Sequence, residues 1–294
     1  MFTDKFGNTY YKVALHQHTT RSDGSETPEA VVARYKSAGY DAIALTDHWF
    51  YSDDKEIDGL PIISGCEYNT GLRDSSNGGV MHIIGVGMAY DPQLVYKEST
   101  RQEIIDAVRA AGGLAFLAHP NWSLNTPADV ASLTGLSAVE VYNSVSDCNN
   151  NFRRADSTYF VDICANQGWS LPLVATDDSH AYGDIDNCIA WTMVRAKELS
   201  TPAILDAIKR GDCYATQGPW IHATWDGEKM CVHCSPCSVI AVMSNYVCTG
   251  TSRTLRGEGV TYFEYVPQEN EKWLRAEVKD ADGHLAWSNI TSLI

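Results

Sequence analysis

Short apolar runs that end in polar clusters recur along the first two thirds of the chain. Val13-Ala14-Leu15 runs into His16-Gln17-His18, Ala42-Ile43-Ala44-Leu45 into Thr46-Asp47-His48, and Pro61-Ile62-Ile63 ends near Glu67. Met81-His82-Ile83-Ile84 follows. Leu114-Ala115-Phe116-Leu117-Ala118 ends at His119, Ala138-Val139-Glu140-Val141-Tyr142 at Asn143, and Leu171-Pro172-Leu173-Val174-Ala175 leads to Asp178-Ser179-His180. Bounded apolar runs of this length read as buried strands. Thr27-Pro28-Glu29 opens a helix with proline in its first turn, apolar positions at Val31, Val32 and Tyr35, and Gly39 as its stop. Further helices are predicted from about Arg101 to Ala111 and from about Arg154 to Gln167. The alternation predicts an α/β fold with parallel strands and crossover helices, either a barrel or an open doubly wound sheet. Both architectures place their active sites at strand C-termini.

The pattern changes after about residue 215, where Gly218-Pro219 punctuates the chain. Ile221–Trp225, Val239–Val242, Tyr262–Val266 and Trp273–Val278 read as short strands, with Asp282-Gly283 as a hairpin turn. The organisation expected is therefore an α/β unit over residues 1–217 and a small all-β, sandwich-like domain over 218–294.

At 294 residues and 44% apolar content, the chain can bury one large core and a second small one. The formal charge of -15 argues against a nucleic-acid polymer or an anionic membrane as partner, although bound cations would cancel part of that field. No apolar leader opens the sequence and no apolar run is long enough to span a bilayer. The nine cysteines are an odd number scattered along the chain, which reads as reduced thiols in a cytoplasmic protein.

The chemistry-bearing residues gather at the strand ends. Alternate residues on a strand share a face, so His16 and His18 are placed to grip one ion. Further histidines stand at 48, 82, 119 and 180, with acids at 23, 67 and 178. Imidazole and carboxylate together suit zinc, iron or manganese. Metal ions held close together acidify the water between them and neutralise charge on a phosphoryl or carbonyl oxygen, so no protein nucleophile is required. Asp177 and Asp178 compete for one ligand role, and Asp178 is chosen because it shares strand parity with His180. Asp47 is read as orienting His48.

His16-Gln17-His18-Thr19, Ser22-Asp23-Gly24, Pro28-Glu29 and the run from Ala38 to His48 resemble the opening of the PHP (polymerase and histidinol phosphatase) family of metal-dependent phosphoesterases. That resemblance implies a distorted seven-stranded (β/α) barrel with two or three divalent or trivalent ions at the strand C-termini. It makes His16, His18 and Asp178 ligands of a first metal, and Glu67 a bridge to a second held also by His82 and His119. Asp23, His48 and His180 would hold a third. Glu67, Asp178 and His180 are the residues on which it centres the chemistry. Gly211–Pro219 and Lys279–Asn289 resemble the end of the PHP subgroup named for the carbamate hydrolases CehA and McbA, which appends a small β domain.

Arg154, with Arg153 in reserve, is the cation placed to reach a phosphate near the metals, the alternative being a solvated helix start. Asn121 and Asn143 are candidate hydrogen-bond donors to substrate or turn formers. Cys231, Cys234 and Cys237 have the spacing of a metal site but lack a fourth ligand unless Cys248 or His233 is recruited; they read as structural thiols, and His222 and His284 as ordinary histidines of the β domain. Three functions follow: a phosphoesterase acting on a small phosphorylated molecule, a carbamate or carboxylic ester hydrolase using the same metals, and a catalytically silent metal-stabilised module.

Overall fold

The computed structural model describes residues 1–71, 79–148, 152–183, 185–247 and 253–294. Its strands are β1 (Phe2–Thr3), β2 (Thr9–Ala14), β3 (Ala42–Ala44), β4 (Glu56–Ile57), β5 (Leu60–Ile63), β6 (Gly65–Thr70), β7 (Met81–Val86), β8 (Leu114–Leu117) and β9 (Leu136–Asn143). They continue with β10 (Leu173–Thr176), β11 (Trp191–Arg195), β12 (Cys213–Thr216), β13 (Ile221–Trp225), β14 (Met230–Ser244), β15 (Thr254–Tyr265), β16 (Trp273–Lys279), β17 (Leu285–Trp287) and β18 (Thr291–Ser292). The helices are α1 (Pro28–Ser37), α2 (Arg101–Ala110), α3 (Pro127–Val130), α4 (Thr158–Asn166) and α5 (Thr201–Lys209).

Local chemistry sets the helix ends. Thr27 accepts the Ala30 amide ahead of Pro28, and Thr100 with Glu103 closes a reciprocal capping box on α2. Gly39, at φ +77°, takes the left-handed turn that ends α1. The helix predicted from about Arg154 begins only at Thr158. Residues just before it run beside β9 instead: Asn143 donates to the Ala155 carbonyl and Ser157 to the Val141 carbonyl, while the Asp156 carboxylate accepts the Thr158 amide. Strands β11 and β12 and helix α5 were not anticipated by the apolar pattern.

The fold is mixed α/β, rich in strands and with few helices. Closure of the expected distorted seven-stranded (β/α) barrel is not shown, and the strands are not all parallel. One sheet has the order β10-β9-β8-β7-β6, parallel across β10, β9 and β8 but antiparallel at β7 and β6. The other carries β2, β3 and β5 in parallel, then turns antiparallel through β11 and β12. Among the described residues the backbone pairing between the two sheets is confined to isolated bridges, Gln17 with Ser179, His48 with Glu67, and Ser52 with Gly65. Side chains from both inner faces, among them Val13, Leu15, Ile63, Ile84, Phe116 and Val174, share one core with α5. Each such aliphatic burial contributes about 1.5–3 kcal/mol, so the packing between the sheets holds together what hydrogen bonds do not close.

The β strands of the tail do not stand apart as a two-sheet unit. They run β13-β14-β16-β17 and continue directly into β12, with Ala215 opposite Trp287. Asp282-Gly283 lies between β16 and β17 as expected. Arg275 on β16 is buried and donates to both oxygens of Asp162 on α4 at 2.6 and 2.9 Å, and to Glu277 at 2.8 Å. Removing one partner of a buried ion group strands the others, so Arg275→Met should lower unfolding stability by about 3 kcal/mol, the low end for such pairs because both carboxylates keep some water contact. A shift in urea midpoint measures it; an unchanged midpoint would mean that the tail is not fastened here.

Candidate metal centre

All nine strand-end candidates converge. Their ligand atoms fall into three overlapping groups, each within 4.8 Å internally: His16, His18, Glu67 and Asp178; Glu67, His82 and His119; and His18, Asp23, His48 and His180. The segment His16–His18 lies alongside Asp178–His180, with the His18 amide donating to the Ser179 carbonyl and the Asp178 amide to the His16 carbonyl. This pairing keeps His16 and His18 on one face. Asp178 itself has φ +53°, so its carboxylate reaches the group through a left-handed turn rather than through strand alternation. Asp177 points elsewhere. It accepts hydrogen bonds from Tyr35, Ser144 and the amides of Cys188, Ile189 and Ala190, and burial pushes its carboxyl up to about 6.

Distances at the centre are short. His16 Nε2 and His18 Nε2 are 3.2 Å apart; each lies 3.0–3.2 Å from Glu67 Oε2 and from Asp178 Oδ1. Glu67 Oε1 is 2.7 Å from His82 Nδ1 and 3.4 Å from His119 Nε2. Asp23 lies 3.4 Å from His180 Nε2 and 3.7 Å from His48 Nε2 and is the exposed member of the set.

The outer nitrogens are held from behind. His16 Nδ1 is 2.8 Å from Glu140, His119 Nδ1 is 3.1 Å from Ser123 Oγ, His18 Nδ1 is 3.3 Å from Ser22 Oγ, and His180 Nδ1 is 2.8 Å from the Asp178 carbonyl. Partners in those positions assign the proton to Nδ1 and leave an Nε2 lone pair facing inward on four rings. Glu140, fully buried, also accepts from the His119 amide, Asn143 and Thr176. Asp47 does not orient His48. It accepts from the Thr19 amide and hydroxyl and from Ser22, and so holds the loop that carries Asp23.

The residues fit a cation on their own geometry. Asp178 Oδ1 and His48 Nδ1 are buried and have no hydrogen-bond partner among the described residues, although oppositely charged or polar atoms crowd them. Orphaned buried polar atoms are costly, and convergence of their lone pairs on shared points is what a metal ion satisfies. Electrostatics agree. Burial lowers His16 and His18, but Asp178 and Glu67 outweigh it and raise both, His18 to about 10. Burial would raise Glu67 and Asp178, yet the surrounding imidazoles hold both well below the usual carboxylate range. His48, for which burial dominates, falls to about 4.

A cavity of about 930 Å³ opens over the cluster, and its lining includes Asp23, His48, Glu67, His82, His119 and His180. Arg154 lines it, with Nη1 3.4 Å from the Trp122 carbonyl. Lys97 is a second cation in the lining, missed in the sequence because it sits in no periodic element. Trp122 packs edge-on against His119 and His82, and Tyr182 stacks on His180. Arg153 is exposed, has φ +69° and does not line the cavity. Asn121 ties the His119 loop to the Asp156 carbonyl, outside the cavity. Asn143 is buried behind the cluster and donates to Asp178 at 3.2 Å as well as to Glu140. Glu140 is the chief residue the sequence reading passed over, and its signal was a carboxylate inside an otherwise apolar strand.

Residues 14–136 match the family model described as PHP domain. No curated protein matches the chain. Among solved structures, a two-domain protein of Bacteroides vulgatus containing a predicted PHP-like metal-dependent phosphoesterase is similar over 99% of this chain and 98% of its own, at 16% identity and TM-score 0.54. The lesion-specific endonuclease Q of Pyrococcus furiosus is similar at 15% identity over 69% of this chain and 56% of its own, TM-score 0.47. An endonuclease Q complex with a 27-mer duplex bearing an abasic lesion at the active site is similar at 13% identity over 69% and 57%, TM-score 0.47.

The expectation of a small-molecule substrate with nucleic acid excluded is withdrawn, because structures similar to this chain include one holding DNA at its active site. Formal charge summed over a chain does not describe the field beside bound cations. The description of no membrane partner rests on composition; among the described residues no helix is long and apolar enough to cross a bilayer. Residues 14–136 are thus similar to the PHP domain, and the mixed α/β fold is similar to that of a two-domain protein containing a PHP-like unit.

Proposed function

We propose that this chain is a metal-dependent phosphoesterase, with residues 1–217 carrying the chemistry and 218–294 forming an appended β unit. The observation that carries the reading is the sharing of Glu67 between two ligand groups, and of His18 between two, at the floor of a cavity that has cations in its wall. His16, His18, Asp178 and Glu67 would hold one ion, Glu67, His82 and His119 a second, and Asp23, His48 and His180 a third. Bound there, divalent or trivalent ions such as zinc, iron or manganese supply an acidified water and neutralise developing negative charge.

The chain's own residues supply the rest. Glu140, Ser123 and Ser22 fix the imidazole tautomers so that each ring presents a lone pair. Asn143 orients Asp178, while Arg154 and Lys97 offer positive charge to the non-bridging oxygens of a phosphoryl group. Their presence favours a phosphoester over the neutral carbamate or carboxylic ester that the tail's resemblance to the CehA and McbA subgroup raises.

Protein purified without chelator should contain at least two ions per chain by elemental analysis, and should hydrolyse members of a panel of phosphomonoesters and phosphodiesters, DNA included. Chelation should abolish that activity and added metal restore it. Full activity in metal-free protein would overturn the proposal, and turnover restricted to carbamates would replace it.

A further inference from the structure

Strand β14 contains an irregularity that brings two cysteines together. In regular pleating, residues three apart point to opposite faces. Here His233 stands opposite Tyr262 but Cys237 opposite Val260, so four steps along β14 match two along β15. The surplus is a bulge with Pro236 exposed at its tip. Its effect on direction is visible in burial: Met230, Val232 and Cys234 point inward in alternation, and Cys237 points inward again instead of outward. Both cysteines lie in the same apolar core of the tail. They also share a neighbour, since Cys234 Sγ donates to the Val260 carbonyl at 3.6 Å and Val260 is the register partner of Cys237. The two thiols are within hydrogen-bonding reach of each other.

We propose that Cys234 and Cys237 are a disulfide-forming pair, closed by exchange with a low-molecular-weight disulfide. The thiolate of Cys237 attacks one sulfur of the reagent and releases one small thiol. The thiolate of Cys234 then attacks Cys237 Sγ in the mixed disulfide and releases the second. Two protein thiols are thereby oxidised and one reagent disulfide is reduced to two thiols, which take up the two protons. Cys237 is the favoured first nucleophile because the neighbouring Cys234 holds its thiol below the ordinary range, while the Cys234 thiol is raised. Cys231 is half-buried on the other face, against Tyr262, and takes no part. The bond would clamp the bulge without touching the metal cluster, and this inference does not depend on the proposed activity.

The test uses the full-length protein and hydroxyethyl disulfide, under native conditions and in urea. Native protein should lose about 2 Da and two titratable thiols, with peptide mapping placing the bond between Cys234 and Cys237. Cys234→Ser should stop at the mixed disulfide on Cys237, with no mass loss. Mapping of the bond to other cysteines, mass loss that persists in Cys234→Ser, or native protein that stays reduced under conditions that oxidise the urea-unfolded chain would each overturn the proposal.

Discussion

Replacing Glu67 by glutamine is expected to lower metal content and hydrolytic activity together, by more than about 100-fold in activity, because the carboxylate faces two ligand groups at once. Loss of a partner standing behind a ligand typically costs 10–100-fold, and a shared ligand should exceed that. The charge matters as well as the shape: an amide keeps the volume but no longer offsets the cations or the five imidazoles within 3.4 Å. Glu140→Gln provides the comparison. It leaves every candidate ligand in place but weakens the hold on His16 Nδ1, so the expected loss is about 10–100-fold, recovered in part by added metal. Elemental analysis and kcat/KM measured on the same preparations decide it. Equal metal content and activity for Glu67→Gln and the unmodified protein would reject the shared-ligand arrangement.

Removing the guanidinium of Arg154 should separate phosphoesters from neutral esters. A phosphomonoester brings close to two negative charges to a site already rich in carboxylates, and the lysine and arginine lining the cavity among the described residues are Lys97 and Arg154. Arg154→Ala should reduce kcat/KM for phosphorylated substrates by roughly 10 to 1000-fold, about 1.4–4 kcal/mol, without changing metal content. Lys97→Ala should act in the same direction and less strongly, since an ammonium offers a point charge where a guanidinium offers a fork. Arg153→Ala should be silent, because that side chain lies outside the cavity. Neutral-ester turnover indifferent to Arg154, accompanied by stronger activity on those esters than on phosphates, would transfer preference to a carbamate or carboxylic ester hydrolase.

What was readable in advance follows from how each signal arises. Strand-end histidines were legible because an apolar run that stops at a polar cluster is a local pattern, and His16 and His18 differ by one pleat. Arg154 was legible as a cation beside a turn, whereas its place in the cavity depends on the backbone of Trp122, far away in sequence. Asn121 and Asn143 show the reverse. Both follow apolar strands in the same way, yet one ties two loops together and the other reaches the carboxylates of Glu140 and Asp178.

The sequence by itself determined the elements whose information is local: the capped starts of α1 and α2, the apolar strands leading to His16, His48 and His119, and the turn at Asp282-Gly283. Tertiary structure alone decided strand direction, which turns antiparallel at β6, β7, β11 and β12, and the failure of the two sheets to close through continuous ladders. It also decided how Asp178, already preferred to Asp177 in the sequence, reaches the histidines, through a positive-φ turn that no periodicity encodes, and that Glu140 is buried behind His16. Periodicity reports which side of an element is apolar; which other element covers that side, and which lone pairs then meet, depends on contacts between residues distant in the chain.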